Sequence, residues 1–227
     1  MWLVSASLQT PGAHFMKNLL YIEASPRKSR SASIDVAKAF IQHFELRYPR
    51  SEVVTLDLWS LELPEVSDEL LEAKYAGING EPLTPAQQQA WERVKSLGQA
   101  FHEADHILLS VPLWNFGIPY KLKHLIDAVC HKDILFSFSP EEGAGGLLSG
   151  KTATLVLARG LDYAADGVGS FHALDFQKPY LEAWLKFVGI ERFNTITVDK
   201  TLYGPDVDAA VRASARHEAM AVVDSLD

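Results

Sequence analysis

Residues 19–33 read Leu-Leu-Tyr-Ile-Glu-Ala-Ser-Pro-Arg-Lys-Ser-Arg-Ser-Ala-Ser. The first four are continuously apolar, as in a strand covered on both faces. A hydroxyl-rich loop follows. Then Ile34, Ala37, Phe40, Ile41 and Phe44 recur at helical spacing, one apolar face that ends before Pro49. Strand, serine loop and helix in this order open a domain that alternates strands with helices.

The same rhythm continues outward. Val53–Leu56, Ile107–Val111 (halted by Pro112), Thr152–Ala158 and Phe193–Val198 read as four further strands. Helices are expected from Thr84-Pro85 to about Glu103, over 119–129, over 175–188, and from Pro205-Asp206 onward. The Thr84 hydroxyl suits a helix cap, and proline tolerates the first helical position. Residues 59–83, with Pro64, Gly77, Gly80 and Pro82 around a short helical patch, read as a long irregular surface excursion. Five apolar strands separated by helices predict a doubly wound parallel sheet of order 2-1-3-4-5, with helices on both faces: a flavodoxin-like α/β fold. Ligands of such sheets sit outside the carboxyl ends of the strands, beside strand one. The loops after strands one, three and four therefore carry the expected site.

Composition narrows the function. At 227 residues, 48% hydrophobic and 22% charged, residues 16–227 suit a single domain. The 21 Lys and Arg against 29 Asp and Glu leave a net charge of −8, which disfavours nucleic acid and anionic lipid as partners. Cys130 is the one cysteine, so a disulfide framework and a thiolate metal cluster are excluded and a cytoplasmic setting is expected. No apolar run reaches the roughly 18–20 residues of a membrane helix. Residues 1–15 hold no Lys or Arg before their short apolar stretch, unlike a secretory signal. They read as a disordered extension ahead of a start at Met16.

Two motifs fail on context. Gly145 to Thr152 matches the phosphate-loop pattern G-x-x-x-x-G-K-T, but Lys151 leads into a strand rather than opening a helix. His102 to His106 matches H-E-x-x-H, yet the second histidine begins a buried strand, so one helix face does not hold both. No metal site is expected. The loop after strand one is different: hydroxyls at Ser25, Ser31 and Ser33 gather where a helix N-terminus offers amides and a favourable dipole to a phosphate. A serine there also serves as an ordinary helix cap. A cysteine nucleophile is missing from this loop and an acceptor aspartate from the end of strand three, where the chain has Ser110-Val111-Pro112. A mononucleotide remains.

With Ala24-Ser25-Pro26-Arg27, Arg30-Ser31-x-Ser33 and Pro112-Leu113-Trp114-Asn115-Phe116 in view, the chain resembles the FMN-dependent NADH:quinone reductase and azoreductase family. Gly117–Asp127, Gly150-Lys151, Arg159-Gly160 and Pro179–Ile190 extend the likeness from about Met16 to the C-terminus. The resemblance implies a homodimer of flavodoxin-like subunits that passes hydride from NADH, or NADPH, through FMN to quinones or azo compounds. A non-catalytic flavin-binding module is the alternative of another class. It further implies that Ser25, Ser31, Ala32 and Ser33 hold the phosphate, that Pro112, Leu113, Trp114, Asn115 and Phe116 run along the flavin ring, and that Arg159 and Gly160 lie at its polar edge. Phe136, Phe138 and Phe187 would line the substrate, Phe187 facing the partner's flavin. No catalytic acid–base residue is implied, because the cofactor carries the chemistry. The family pattern Ser-Arg-Gly-Gly is here Ala158-Arg159-Gly160-Leu161, a departure that weakens the match on that side of the flavin.

Overall fold

A computed structural model describes residues 17–79, 81–165 and 169–226. The expected N-terminal extension, 1–15, lies outside the described residues. Five parallel strands, β1 (Leu19–Glu23), β2 (Val53–Asp57), β3 (His106–Pro112), β6 (Thr152–Ala158) and β7 (Arg192–Val198), form one sheet in the order β2-β1-β3-β6-β7. Numbered among themselves these strands run 2-1-3-4-5, the doubly wound order. Two further strands, β4 (Phe136–Ser139) and β5 (Gly143–Gly146), form a separate antiparallel hairpin.

Helices cover both faces. α1 (Ala32–Arg47) and α6 (Pro205–Asp224) pack Phe40, Phe44, Ala215 and Val223 against Leu19, Tyr21, Leu108 and Val156. On the other face lie α2 (Asp68–Asn79), α3 (Pro85–Glu103), α4 (Tyr120–Val129) and α5 (Gln177–Phe187). These bury Leu70, Phe101, Leu125 and Leu185 against Leu20, Ile22, Leu109 and Leu155. The central strands β1, β3 and β6 are almost wholly buried, whereas β2 is an edge strand with Val54 exposed. No helix among the described residues is long and apolar enough to cross a membrane.

The Thr84 hydroxyl accepts from the Gln87 amide, and the Gln87 side chain accepts from the Thr84 amide, a reciprocal cap for α3. The excursion at 59–83 is more ordered than its composition suggests, since α2 takes three turns of it. The hairpin is a second departure, because Gly-Ala-Gly-Gly has little intrinsic strand preference. It forms because β5 lies against the end of α5. A side chain on Gly146 would meet Gly189 N at 2.1 Å and Val188 C at 2.2 Å, and Gly189 itself holds φ +98°.

The two failed motifs have structural employment. The Lys151 ammonium donates to the carbonyl of His102 at 2.7 Å and to that of Ala104, closing the carbonyl end of α3. His102 is bonded to the Ile134 carbonyl at 2.6 Å. His106 lies in β3 between the Thr152 and Thr154 hydroxyls, at 2.7 and 3.0 Å, with its ring stacked on Phe40.

Burial, and after it the Lys17 ammonium, lowers the His106 imidazole from 6.5 to about 3. Between those values the unfolded chain binds a proton that the folded chain refuses. The contribution is therefore complete above pH 6.5 and declines as the pH falls. From this residue we expect a loss of about 1 kcal/mol between pH 6 and 5. Urea unfolding should record it, and His106→Gln should flatten the slope by that amount; an unaltered slope would contradict the assignment.

Candidate functional site

β1 is paired on one side to β2 and on the other to β3, so the loops after these three strands leave the sheet side by side. The Ala24 amide still donates to the Ser110 carbonyl at 3.1 Å, which fixes the start of the serine loop. A single 3-10 turn, Lys28–Arg30, then lifts the chain to Ser31. Ser31 caps α1 with extended backbone, but its hydroxyl makes no capping bond; it faces the Ser33 hydroxyl at 3.1 Å. Ser25 accepts weakly from the Arg27 amide at 3.4 Å. All three serines and Ala32 are buried. The first backbone bond into the helix is Asp35 N to Ser31 O, so the amides of Ala32, Ser33 and Ile34 belong to the first turn, which has no carbonyl partner within a helix.

The charges around this loop are sorted. Lys28 Nζ lies 2.6 Å from both Glu23 Oε1 and Asp57 Oδ1. Burial opposes its charge, but its bonds to Asp57 and Glu23 prevail and hold the ammonium above the usual lysine range. Asp35, in the first turn of α1, is paired with Arg216 at 2.8 Å. Arg27 and Arg30 are exposed beside the serines. An anion at the helix N-terminus thus meets hydroxyls and amides.

After β3, Leu113 donates to the Ala158 carbonyl at 2.8 Å, and the chain turns sharply. Trp114 and Gly117 exchange both backbone hydrogen bonds, at 3.1 and 3.0 Å, with Asn115 at φ 47° and Phe116 at φ 71°. Two positive φ values in a two-residue turn are the signature of type I′. Asparagine tolerates this region; a bulky phenylalanine is an outlier there. The turn is held from outside, because Phe176 N donates to Phe116 O at 2.9 Å and Gln177 Nε2 to Val111 O at 3.1 Å. Trp59, from the loop after β2, donates from its indole to the Ala24 carbonyl at 3.0 Å and sets its ring 5.8 Å from Trp114 and 5.5 Å from Tyr120. Sequence reasoning missed Trp59; its place at the carboxyl end of a strand next to β1 was the available signal. A cavity of about 710 Å³ opens here, walled by Trp114, Asn115, Ile118, Tyr120 and His124.

After β6 the picture differs from the expectation for Arg159. The guanidinium is 3% exposed; it donates to Asp175 Oδ2 at 2.8 Å, lies 3.3 Å from Asp199 Oδ1, and covers the Tyr163 ring. Burial pushes the Asp199 carboxyl up, and Arg159 is the main opposing charge. Asp175 also caps α5, its Oδ1 accepting from the Gln177 and Lys178 amides. The carbonyls of Arg159, Gly160 and Leu161 accept from Thr201, Leu202 and Lys200, so this loop is laced to the one after β7. Arg159 reaches the edge with its backbone, while its side chain turns inward.

The phenylalanines are partly gathered. Phe136 packs on Phe187 with ring centroids 5.1 Å apart, and Phe138 is exposed further along β4. Phe187 lines a second cavity, between α4 and α5, rather than the wall at Trp114.

Comparison with known proteins agrees with this architecture. The sequence model of the family described as Flavodoxin-like fold matches residues 17–223. The chain is 51% identical over 211 residues to FMN-dependent NADH:quinone oxidoreductase 3 of Pseudomonas fluorescens, covering 93% of this chain and 98% of that one. It is 44% identical over 211 residues to FMN-dependent NADH:quinone oxidoreductase of Desulfotalea psychrophila, with the same coverage. Among solved structures, an azoreductase from Bacillus anthracis superposes with a TM-score of 0.83 at 26% identity, over 93% of this chain and all of that one. An FMN-dependent NADH-azoreductase of the same species, in complex with FMN, gives 0.82 at 27% identity, over 92% of this chain and 99% of that one.

The ion cluster makes a direct prediction. Arg159→Met would strand the Asp175 and Asp199 carboxylates without a cation, and we expect a loss of about 3–5 kcal/mol by denaturant unfolding. Adding Asp175→Asn, which keeps an acceptor for the Gln177 and Lys178 amides, should recover part of it. Stability unchanged in Arg159→Met would show that the cluster does not hold these loops.

Proposed function

Because this chain belongs to the family of FMN-dependent NADH:quinone oxidoreductases on the flavodoxin-like fold, we propose that it moves hydride from NADH to FMN and on to a quinone or aromatic azo compound, in two half-reactions at one site. One juxtaposition carries the reading. The Ser31 hydroxyl, free of capping duty at the N-terminus of α1, stands one strand away from a rigid turn that presents Trp114 and Phe116.

The residues fit the cofactor's two ends. A phosphate dianion suits the Ser25, Ser31 and Ser33 hydroxyls with the Ala32 amide, where the helix dipole favours negative charge. A flat ring suits the segment Pro112–Phe116, which offers apolar and aromatic surface with a few backbone groups. FMN, when bound, supplies the hydride acceptor and donor. The chain binds, orients and shields. Trp59 buttresses Trp114 from the side, and the hydrogen bond from Phe176 keeps Phe116 in place. With the Arg159 guanidinium engaged by carboxylates, its role is positioning; charge at the polar edge of the flavin falls to backbone N–H groups of that loop.

A homodimer completes the site. Tyr120 in the wall of the first cavity, Phe187 in that of the second, and Phe116, Phe176 and Phe138 are all exposed, more aromatic surface than a lone subunit leaves to water without a use. A second copy would cover them and enclose the acceptor. A cytoplasmic setting fits the lone cysteine.

Charge-assisted hydrogen bonds to a phosphate contribute about 1.5–3 kcal/mol each, so Ser31→Ala with Ser33→Ala should weaken FMN binding by at least tenfold while the fold persists. Flavin absorbance and anaerobic titration with NADH read the native protein; undiminished FMN affinity in the double variant would remove this loop from the site. The dimer should show a mass of twice the 25.2 kDa subunit in sedimentation, with or without FMN. Full turnover by a demonstrated monomer would refute the shared enclosure alone.

A further inference from the structure

Asp57, the last residue of β2, is bonded toward both ends of the crevice. Its Oδ1 lies 2.6 Å from Lys28 Nζ and accepts from the Trp59 amide at 3.1 Å, while its Oδ2 accepts from the Ser60 hydroxyl at 2.6 Å. Lys28 belongs to the serine loop, and Trp59 supports Trp114. One carboxylate therefore joins the loop suited to a phosphate with the wall suited to a flat ring.

Both partners need to be held. Lys28 has φ 49°, in the left-handed region that a side-chain-bearing residue keeps only where its surroundings fix it. Its ammonium is fixed between two strand ends, with Glu23 of β1 at 2.6 Å and Asp57 of β2 opposite. Glu23 is braced in turn by the Tyr21 hydroxyl at 3.4 Å, itself 2.9 Å from the Ser110 hydroxyl in β3. Trp59 is held at two points, its amide on Asp57 and its indole on the Ala24 carbonyl at 3.0 Å, where the serine loop begins.

An isolated surface ion pair contributes little to stability. Here one cation is shared by carboxylates on neighbouring strands, so the pairing sets the course of the loop that leaves between them. Burial opposes the charge on Asp57, but its bonds from Lys28, Ser60 and the Trp59 amide prevail and keep the carboxyl below its usual range, ionised at neutral pH.

We propose, on the reading of this crevice as an FMN site, that Asp57 is a positioning residue for both ends of the cofactor: through Lys28 it sets the serine loop against the phosphate, and through Trp59 it sets Trp114 against the flavin ring. The two branches are separable. An amide at position 57 keeps an oxygen for the Trp59 N–H and can donate to the Ser60 hydroxyl, but it loses the charge that holds Lys28. A methyl group loses both branches. Riboflavin, which lacks the phosphate, senses the ring branch alone.

Native protein, Asp57→Asn and Asp57→Ala are each loaded with FMN or with riboflavin and diluted stepwise, the released flavin being read by its fluorescence. Native protein should hold FMN more tightly than riboflavin. Asp57→Asn should weaken FMN binding about tenfold, the equivalent of one charge-assisted hydrogen bond, and leave riboflavin binding unchanged. Asp57→Ala should weaken both. Lys28→Met should repeat the asparagine pattern, and combined with Asp57→Asn it should cost less than the sum of the two single changes. Were Asp57→Ala to misfold by circular dichroism, Asp57→Asn and Lys28→Met would still decide the matter. Equal affinity of native protein for the two flavins, FMN binding unaltered in Asp57→Asn, or equal weakening of both flavins by that variant would overturn the role of Asp57. Native protein that held neither flavin would defeat the FMN reading along with it, whereas failure in the variants alone leaves that reading intact.

Discussion

Everything in this molecule depends on β1 being paired on both sides, to β2 and to β3. A parallel neighbour can be reached only by a crossover, and a right-handed crossover to one side of β1 passes over one face of the sheet while that to the other side passes over the opposite face. α1 therefore lies with α6 on one face, and α2 and α3 lie with α4 and α5 on the other. The helices diverge at the carboxyl end of β1. The crevice between them is where backbone amides and hydroxyls lack partners within the secondary structure.

What distinguishes ligand groups from structural ones at that edge is whether their bonding is already complete. Lys28, Arg159 and Lys151 are cations that a reading by residue type would offer to a phosphate or a flavin. Each is engaged instead: Lys28 with Glu23 and Asp57, Arg159 with Asp175 and Asp199, Lys151 with the end of α3. Ser31, by contrast, occupies a capping position without capping. In a chain of net charge −8, Arg27 and Arg30 are exposed in the same loop as the serines.

Much of this was legible in the sequence because it is local. The apolar run of β1, the serine loop, the period of α1, the cap at Thr84 and the stop at Pro112 are each set by neighbours a few positions away, and the order of the sheet follows from their alternation. The parts that could not be read depend on distant contacts. The hairpin β4–β5 exists because Gly146 can touch Gly189, 43 positions later by number (189 − 146), and no propensity within Gly-Ala-Gly-Gly records that. Likewise the direction of the Arg159 side chain is decided by Asp175 and Asp199, one in the entrance to α5 and the other beyond β7. Trp59 reaches Ala24 and Trp114 only once β2 has paired with β1. Motif spelling misleads for the same reason: Gly150-Lys151-Thr152 has the letters of a phosphate loop, while the fold turns its lysine to the back of α3.

The turn at Trp114–Gly117 carries the reasoning one step further. Type I′ turns favour asparagine followed by glycine, since both central residues need positive φ. This chain has the asparagine, but puts phenylalanine where glycine would be easiest, at a cost on the order of 1–3 kcal/mol. Burial does not repay that cost, because Phe116 is 43% exposed. Such a conformation persists only where the surroundings over-determine it, and here the reciprocal bonds between Trp114 and Gly117, with the bond from Phe176, do so. The strained side chain is thereby held at the sheet edge as a fixed flat surface. A glycine would give an easier turn and no surface; a phenylalanine on a flexible loop would give a surface in no fixed place. A wall that must lie against a rigid planar ring needs both properties, and the strained turn is the local structure that provides them.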